Sequence, residues 1–572
     1  MAQQRLAEPG RAAQAMGAIS VVRVAARLAG VLALAAVTLA GMQVSAATRR
    51  DSATHRSAAN AHPIEIPRIV RDGDHHALFV DGAPYFILGA QINNSSAWPA
   101  MLPKVWPVID ALDANTVEVP IAWEQIEPTE GHFDFSFLDT LLVQARAHHV
   151  RLVLLWFGTW KNNGPSYTPQ WVKLDNARFP RMINATGGTM NSLSPHFDAT
   201  LKADSTAFAT LMRHLKSVDA RRTVIMVQVE NETGTYGAVR DHSPTAQALF
   251  DGPVPDALVK AMHKQPGSWR QVFGFGADEY FQAWSVARYV DRVAAAGKAE
   301  YPLPLYVNAA LRDPFKYQDP TTFSSGGPTW DVLDVWKAAA PSIDVIGPDI
   351  YMRDYVSYIR TLEQYARADN PLSVPETGND KVNARYVFEV IGRGGIGFSA
   401  FGMDLTGYNN FPLGAPRLDP ETIEAFAQNY RLLAPIMRQL AALSFQGRLW
   451  GVGEPDATHE QTIDLGRWRA SVSYGRPQFG MTPPTGNPTP SGGVLIAELG
   501  PDEYLVTGFH ARVNFDLTQP NGRHPQFARV EEGHYDDHGQ WVFERVWNGD
   551  QIDYGLNFTS MPQVLRVRLA SY

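Results

Sequence analysis

TVIMVQVENE, at residues 223–232, is the stretch of sequence that decides the fold. Its first half is a run of β-branched and apolar residues, which is typical of a strand buried on both faces of a parallel sheet. Its last residues are polar and include Glu230, Asn231 and Glu232. Strands that are apolar along their length and carry carboxylates at their carboxyl end are typical of a (β/α)8 barrel, which places its functional groups at that end.

The same pattern recurs over residues 64–443, where apolar strand candidates alternate with amphipathic helical stretches. The eight strand candidates lie at residues 85–89, 115–122, 151–157, 223–232, 305–309, 343–347, 372–379 and 395–401. Among the helices, Ser136 is a candidate N-cap of one and Asp419 of another, which covers residues 420–443. The alternation predicts an α/β fold, a (β/α)8 TIM barrel rather than an open doubly wound sheet.

After residue 443 the pattern of the sequence changes. Short apolar runs at residues 494–499, 503–509, 512–515, 540–546 and 564–569 are separated by turns rich in Gly, Pro, Asn and Asp. Many short strands with frequent turn signals are typical of an all-β sandwich. We therefore predict a second domain, a C-terminal β-sandwich over residues 444–572.

The first 46 residues have the features of a secretory signal peptide. Arginines, the last of them Arg27, precede an apolar run at residues 28–44, and Val44-Ser45-Ala46 supplies a small-residue cleavage pattern. Residues 47–63 are rich in Ser, Ala and His and are expected to be a flexible lead-in. The interpretation predicts a periplasmic or secreted protein without stable membrane anchoring after cleavage. An uncleaved membrane anchor is the alternative.

Composition excludes several classes of function. The 572-residue chain has a net charge of −8, which gives no electrostatic footprint for nucleic acid. It contains no cysteine, which rules out disulfides and thiolate chemistry. There is no HExxH motif, glycine-rich phosphate loop or dinucleotide fingerprint, so we predict no metal and no cofactor. The oligomeric state is left open.

Two carboxylates at predicted strand ends suggest a reaction. Glu232 ends the fourth strand and Glu376 ends the seventh, so a barrel would bring both to one face. Such a pair suits glycoside hydrolysis, in which one carboxylic acid protonates the leaving oxygen and the other attacks the anomeric carbon or activates water. A single glutamate at a strand end is more often a solvated loop charge or an ion-pair partner, but two in the right order within a barrel favour catalysis. Glu127 and Glu230 are alternative members of the pair.

Three motifs together resemble glycoside hydrolase family 35: WEQIEPTEGHFDF at residues 123–135, QVENE at 228–232 and PET at 375–377. The resemblance covers residues 64–443 and implies that Glu232 is the acid/base and Glu376 the nucleophile. It also implies that Tyr351 hydrogen-bonds the nucleophile and keeps it ionised, as a tyrosine does elsewhere in the clan. The C-terminal domain is similar to the β-domain of a bacterial branch of the family.

Further residues are predicted to bind substrate. Asn231 can donate from its amide to a sugar 2-hydroxyl, Gln91 lies just past the first strand, and Glu127 can brace the site by hydrogen bonds. The sequence also departs from the family pattern, because Pro120, Glu124 and Gly158-Thr159-Trp160 replace its usual residues. A carboxylate that would bind sugar hydroxyls is therefore missing. The residues expected to substitute for it are Trp160, Lys161 and Asn162.

The resemblance implies a retaining, exo-acting β-galactosidase that removes terminal β-linked galactose from oligosaccharides or plant cell-wall glycans. Two alternatives stay open. One is another barrel glycosidase, such as a β-glucosidase, an exo-glucosaminidase or an endo-glycanase. The other is a sugar-binding protein on a barrel without activity.

Overall fold

The computed structural model describes residues 64–475, 480, 482–536 and 538–572. The predicted signal peptide and lead-in, residues 1–63, lie outside the described residues. Within the described residues, no helix has both the length and the apolar character needed to span a bilayer. The described residues group into one compact unit, so the two predicted domains pack on one another.

Eight parallel strands close into a barrel, with the eighth strand paired to the first, and this confirms the predicted TIM-barrel fold. The barrel strands, called first to eighth below, are Ile87–Gln91, Thr116–Ala122, Arg151–Lys161, Val224–Asn231, Leu305–Ala310, Val345–Ile350, Ser373–Thr377 and Gly397–Phe401.

Helices surround the barrel. The helices that follow the barrel strands are Leu102–Leu112, Ser136–Ala147, Asp198–Val218, Ala277–Glu300, Leu333–Ala339, Tyr355–Tyr365, Tyr386–Gly392 and Pro420–Leu433. The connection after the fourth strand carries three additional short helices, Pro244–Phe250, Asp256–Ala261 and Trp269–Phe273.

The strands are apolar on both sides because each side faces a different core. In the fourth strand, Met226 packs in the barrel interior with Leu155 and Tyr306. Val227 and Val229 belong to the larger cluster between strands and helices. All eight residues of this strand are buried, as the unbroken apolar run predicts.

A small antiparallel sheet precedes the barrel, with strands Arg68–Asp72, His75–Val80 and Ala83–Tyr85. A hairpin turn lies at Asp81 and Gly82, which both have positive φ, at 56° and 78°. Two-residue hairpin loops favour this conformation. Leu78 and Val80 of the sheet pack with the interior core, so the sheet closes one end of the barrel.

Some predicted boundaries differ from the observed ones. The third strand continues to Lys161 rather than ending at residue 157. The predicted helix 420–443 is broken, because a 3-10 turn at Ala434–Ile436 contains a proline and a separate helix, Met437–Phe445, follows. Ser136 is not an N-cap: it is the first helical residue, and Asp134 accepts a hydrogen bond from its peptide N–H. Asp419 caps its helix as predicted.

The C-terminal domain consists of two antiparallel sheets, one with six strands and one with four. The six-stranded sheet contains Leu449–Gly453, Gly493–Gly500, Glu503–Phe509, Pro525–Tyr535, Trp541–Val546 and Val564–Ser571. The four-stranded sheet contains Glu460–Leu465, Trp468–Tyr474, Ala511–Leu517 and Leu556–Phe558. Side chains from both sheets, Trp468 and Val506 among them, share one apolar core, which is the packing of a sandwich.

The two domains meet where helix Tyr386–Gly392 packs on strand Leu449–Gly453. At this contact the backbones approach closely, because a Cβ built on Gly451 would lie 2.3 Å from the Phe388 carbonyl oxygen and 3.0 Å from Gly392 Cα. Neither neighbour is a flexible side chain that could move aside. The close approach therefore requires glycine at position 451.

We predict that Gly451→Ala destabilises the protein by about 1–3 kcal/mol, because the added methyl group forces the two backbones apart. Thermal unfolding of the variant and of the unaltered protein measures the effect. Gly500→Ala is the matched control, since a Cβ at position 500 has no neighbour within 4 Å. Equal unfolding temperatures for Gly451→Ala and Gly500→Ala would contradict the domain contact described here.

Candidate active site

Three carboxyl groups from three barrel strands meet at the carboxyl ends of those strands. Glu232 directly follows the fourth strand, Asp349 lies in the sixth and Glu376 in the seventh. One carboxylate oxygen from each residue lies within 4.8 Å of the other two. The structure thus brings together the two glutamates that the sequence singled out, and it adds an aspartate to them.

Glu376 is buried and has a donor for each carboxylate oxygen. Gln91 Nε2 donates to Oε1 at 2.8 Å, and the Tyr351 hydroxyl donates to Oε2 at 2.6 Å. Hydrogen bonds from neutral donors stabilise a carboxylate anion in a site with little water. Tyr351 makes the contact that the resemblance implied. Gln91, predicted to contact substrate, instead orients Glu376.

The backbone at the end of the fourth strand is unusual. Glu230 and Glu232 both have positive φ, at 62° and 45°. A non-glycine residue in this region costs about 1–3 kcal/mol, so surrounding contacts must stabilise it. Asn308 Oδ1 accepts the peptide N–H of Glu232 at 2.9 Å, and Asn163 Nδ2 donates to its carbonyl oxygen at 3.3 Å. These contacts fix the direction in which the Glu232 side chain leaves the strand.

Lys161, at the end of the third strand, supplies positive charge to the site. Its side chain is 7% exposed, and its Nζ lies 3.8 Å from Glu232 Oε2. Nζ also donates to Asn162 Oδ1. Lys161 therefore lies beside Glu232, in the site for which the sequence predicted it as a substrate contact. Asn162 is an exposed residue whose side chain positions the Lys161 ammonium.

Crowding and burial shift the acidities of this cluster. Burial raises the pKa of Glu232, the Lys161 ammonium opposes that rise, and the charge of Glu376 adds to it. Burial raises the pKa of Asp349 well above its ordinary value, and the charges of Glu376 and Glu232 raise it further. Two of the three carboxyls thus favour their protonated forms, as expected where like charges meet with little solvent.

Asn231 lies between Glu230 and Glu232 and is fully buried. Neither its amide nitrogen nor its amide oxygen has a hydrogen-bond partner among the described residues. A buried amide without partners costs free energy unless a ligand satisfies it. Asn231 can therefore bind a hydroxyl group beside Glu232.

Three predicted or alternative residues lie elsewhere. Trp160 is 1% exposed, its ring packs edge-on against Tyr289, and its Nε1 donates to a backbone carbonyl, so it offers no surface to a sugar. The third strand extends past Trp160, so the Trp160 ring points into the core. The polar residues beside Trp160 in the sequence had indicated a loop instead. Glu127 accepts from Trp123 Nε1 and from the peptide N–H of Gly131, so it braces the segment that follows the second strand rather than contacting ligand.

Glu230, the other alternative, is also excluded from the cleft. It is fully buried, and its Oε2 accepts the peptide N–H of Trp160 at 2.7 Å. Burial raises its pKa well above the ordinary value, and the nearby Asp204 adds to this shift. Glu230 therefore supports the end of the third strand.

Sequence reasoning did not single out Asp349 or Asn308. Asn308 Nδ2 donates to Asp349 Oδ2 at 2.7 Å, while its Oδ1 holds the Glu232 backbone. One signal was available, since Asp349 and Tyr351 are two residues apart at a predicted strand end, and such residues lie on the same face. A lone asparagine in the apolar fifth strand was a weaker signal.

The oxygens of Glu232, Asp349 and Glu376 are close enough to coordinate one cation. However, both Glu376 oxygens already accept hydrogen bonds, and the Lys161 ammonium occupies the side of Glu232. An ammonium group beside a carboxylate repels a second cation from the same site. We therefore assign the cluster as a carboxyl site and not as a metal centre.

A further carboxyl lies inside the barrel. Glu118, in the second strand, is opposite Gln91 in the strand register and is 2% exposed. Ser399 and Tyr306 donate to its two oxygens at 2.6 and 3.0 Å. Burial raises the pKa of Glu118 to about 8. This side chain is thus held in the neutral form at neutral pH.

Comparison with known proteins identifies two family models that match separate parts of the chain. Residues 107–291 match a model described as "Beta-galactosidase" (Glyco_hydro_42). Residues 426–559 match a model described as a domain of unknown function (DUF5597). The first match covers part of the barrel, and the second covers most of the C-terminal domain.

Among curated proteins, a "Beta-galactosidase" from Xanthomonas manihotis is 27% identical over 221 residues. The match covers 34% of this chain and 34% of that protein, so the chain spans about a third of the length of the relative that it matches.

Solved structures are more distant. A beta-galactosidase from Bacillus circulans sp. alkalophilus aligns with a TM-score of 0.46 at 14% identity, over 62% of this chain and 57% of that one. An exo-beta-1,4-mannosidase from Opitutaceae bacterium strain TAV5 aligns with a TM-score of 0.41 at 16% identity, over 65% and 63%. The assignment of the fold rests on the closed barrel itself.

We predict that Glu118→Gln makes the protein more stable relative to the unaltered protein as the pH rises from 5 to 8. The pKa of Glu118 is raised by folding, so its contribution to stability is present at low pH and is lost as the pH rises through about 8. A neutral amide has no such loss. The difference in unfolding temperature between variant and unaltered protein, measured at several pH values, tests this.

Glu460→Gln is the matched control for this experiment, since Glu460 is an exposed strand residue. Its difference in unfolding temperature should stay constant with pH. A constant difference for Glu118→Gln as well would contradict a protonated Glu118.

Proposed function

We propose that this chain is a retaining glycoside hydrolase, an exo-acting β-galactosidase that removes terminal non-reducing β-D-galactosyl residues from oligosaccharides or plant cell-wall glycans. The observation that carries the proposal is the pair Glu232 and Glu376, whose carboxylate oxygens lie within 4.8 Å of each other at the carboxyl ends of the strands. Retaining glycosidases have carboxyl groups about 5–5.5 Å apart, whereas inverting enzymes need about 6.5–9.5 Å to accommodate a water molecule.

In the first step, Glu376 attacks the anomeric carbon and Glu232 gives its proton to the leaving oxygen. The two hydrogen bonds to Glu376 orient its oxygens for attack and favour the anion that attacks. The raised pKa of Glu232 favours the protonated form that gives up this proton. The products are a galactosyl ester on Glu376 and an ionised Glu232.

In the second step, Glu232 takes a proton from water, which attacks the same anomeric carbon and releases Glu376. The Lys161 ammonium, 3.8 Å from Glu232, stabilises the ionised Glu232 that this step requires. The buried amide of Asn231 is available to the sugar 2-hydroxyl, and such a contact strengthens as the anomeric centre becomes oxocarbenium-like. These features support two displacements and therefore retention of configuration.

Galactose is proposed from the comparisons rather than from the site. The family model matched by residues 107–291 and the Xanthomonas relative are both described as beta-galactosidase. The finer assignment to glycoside hydrolase family 35 is part of the proposal and rests on the motifs at residues 123–135, 228–232 and 375–377. The matching family model is a different one, Glyco_hydro_42.

A periplasmic or secreted location is also proposed, because arginines, an apolar run and a small-residue cleavage pattern follow one another in residues 1–46. Export would bring the enzyme to oligosaccharides and wall fragments outside the cytoplasm. Detection of a mature chain beginning after Ala46 in a periplasmic or culture fraction would test the location.

We predict that, in a panel of nitrophenyl glycosides, the β-galactoside is hydrolysed fastest. Glu376→Ala should lower kcat at least about 1,000-fold, because the residue that forms the covalent bond is removed. Circular dichroism checks that the variant is folded, and Glu460→Gln is the control with unchanged activity. Faster hydrolysis of a β-glucoside, β-mannoside or β-glucosaminide would contradict the proposed sugar, and an unchanged rate for Glu376→Ala would contradict the proposed site.

We predict that azide restores the activity of Glu232→Ala on 2,4-dinitrophenyl β-galactoside. This leaving group needs no acid, so the ester on Glu376 forms and accumulates, and azide attacks it without a general base. The product should be β-galactosyl azide, identified by NMR. Glu230→Gln is the matched control from the same strand, and any loss it causes should not respond to azide. An α-azide product would contradict retention.

A further inference from the structure

The buried carboxyl group of Asp349 has a role that the two-glutamate mechanism does not include. The residue is 3% exposed and lies in the sixth strand, two residues before Tyr351. Its Oδ2 accepts a hydrogen bond from Asn308, whereas its Oδ1 is buried without a hydrogen-bond partner among the described residues. A buried carboxyl oxygen without a partner is costly unless it carries a proton or meets one.

Asn308 determines which oxygen of Asp349 can carry that proton. The Asn308 oxygen must be the atom that accepts the peptide N–H of Glu232, because a backbone N–H can only donate. The Asn308 nitrogen therefore faces Asp349 and donates to Oδ2. Oδ2 is thus an acceptor, and a proton on Asp349 lies on Oδ1.

Charge balance in the cluster requires such a proton. Before the reaction the negative charge is on Glu376, and after the first step Glu376 is a neutral ester and the charge is on Glu232. In both states one carboxylate faces one ammonium, Lys161. An ionised Asp349 within 4.8 Å of the other two would add a second negative charge with little solvent to screen it.

We propose that Asp349 is a positioning residue that keeps its proton through both steps and donates it in a hydrogen bond from Oδ1 to Glu232 whenever Glu232 is ionised. The inference rests on the proposed glycosidase function. No proton is transferred from Asp349: the Glu232 proton goes to the leaving oxygen, and the replacement comes from the attacking water. The hydrogen bond stabilises the form of Glu232 that serves as the base in the second step.

Other ionisable groups face Glu232 or Asp349. A test that varies the pH requires that these groups do not change charge in the pH range in which Glu232 titrates. They are Lys161, Glu376, Tyr236, Tyr306, Tyr351 and Tyr365. Burial raises the pKa of each of the four phenols, so these remain neutral and uncharged below pH 10. The phenols therefore contribute no change of charge between pH 5 and 9.

The pH dependence of the second step tests the proposal. With 2,4-dinitrophenyl β-galactoside the first step is fast, and kcat reports the second step, which requires ionised Glu232. In Asp349→Ala the hydrogen bond that favours ionised Glu232 is lost, so the pKa of Glu232 rises. The acidic limb of the kcat profile should move to higher pH by about one unit, with about a tenfold lower kcat on that limb.

Asp349→Asn separates a neutral donor from an ionised carboxylate. The amide can accept from Asn308 and donate to Glu232 as a protonated Asp349 does, so the limb should move by less than half as much. An equal shift in both variants, or no shift in Asp349→Ala, would overturn the proposal. Asp219→Asn, a buried carboxyl before the fourth strand, is the matched control, and it should lower thermal stability without moving the limb.

A second measurement does not depend on turnover. At pH 7 the infrared difference between the unaltered protein and Asp349→Asn should contain the C=O stretching band of a protonated carboxylic acid. Absence of this band would overturn the proposal even in a protein that hydrolyses no β-galactoside. Presence of the band together with failure of the whole glycoside panel would instead leave Asp349 protonated and refute the proposed function.

Discussion

Three carboxyl groups within 4.8 Å of one another cannot all be ionised in a cleft with little water, and this constraint organises the site. Glu376 has two neutral donors, which favour its negative charge. Glu232 and Asp349 respond to the same crowding with raised pKa values. A double displacement at an anomeric carbon requires one anion, here Glu376, and one acid, here Glu232. The chemistry proposed here therefore follows from the distribution of protons within the cluster.

The barrel brings these carboxyl groups together, and one of them, Glu232, has a strained backbone conformation as a result. Glu232 has a left-handed backbone, and side chains from neighbouring strands hold it there: Asn308 from the fifth strand and Asn163 from the segment after the third. Because Asn308 also binds Asp349, the position of the acid/base candidate and the protonation of its neighbour depend on one amide. A strained residue with several independent restraints is common where function requires a fixed geometry.

The sequence predicted the barrel well because eight apolar runs leave few other topologies. It also predicted that Glu232 and Glu376 share a face, since strand ends determine that. It failed where the direction of a side chain depends on a local irregularity: the third strand continues through Trp160 and buries that ring, and Glu127 faces its own loop. Asp349 was missed because its importance arises from neighbours that are distant in sequence, and its spacing of two residues from Tyr351 was the one local signal.

The most direct test is to trap the covalent intermediate. A 2-deoxy-2-fluoro-β-galactosyl fluoride forms the ester quickly and loses it slowly, because fluorine destabilises the oxocarbenium-like transition states of both steps while fluoride is a good leaving group. Proteolysis and mass spectrometry then identify the labelled residue. We expect one fluorogalactosyl group, on Glu376. A label on Glu232 or Asp349, or inactivation without any covalent adduct, would contradict it.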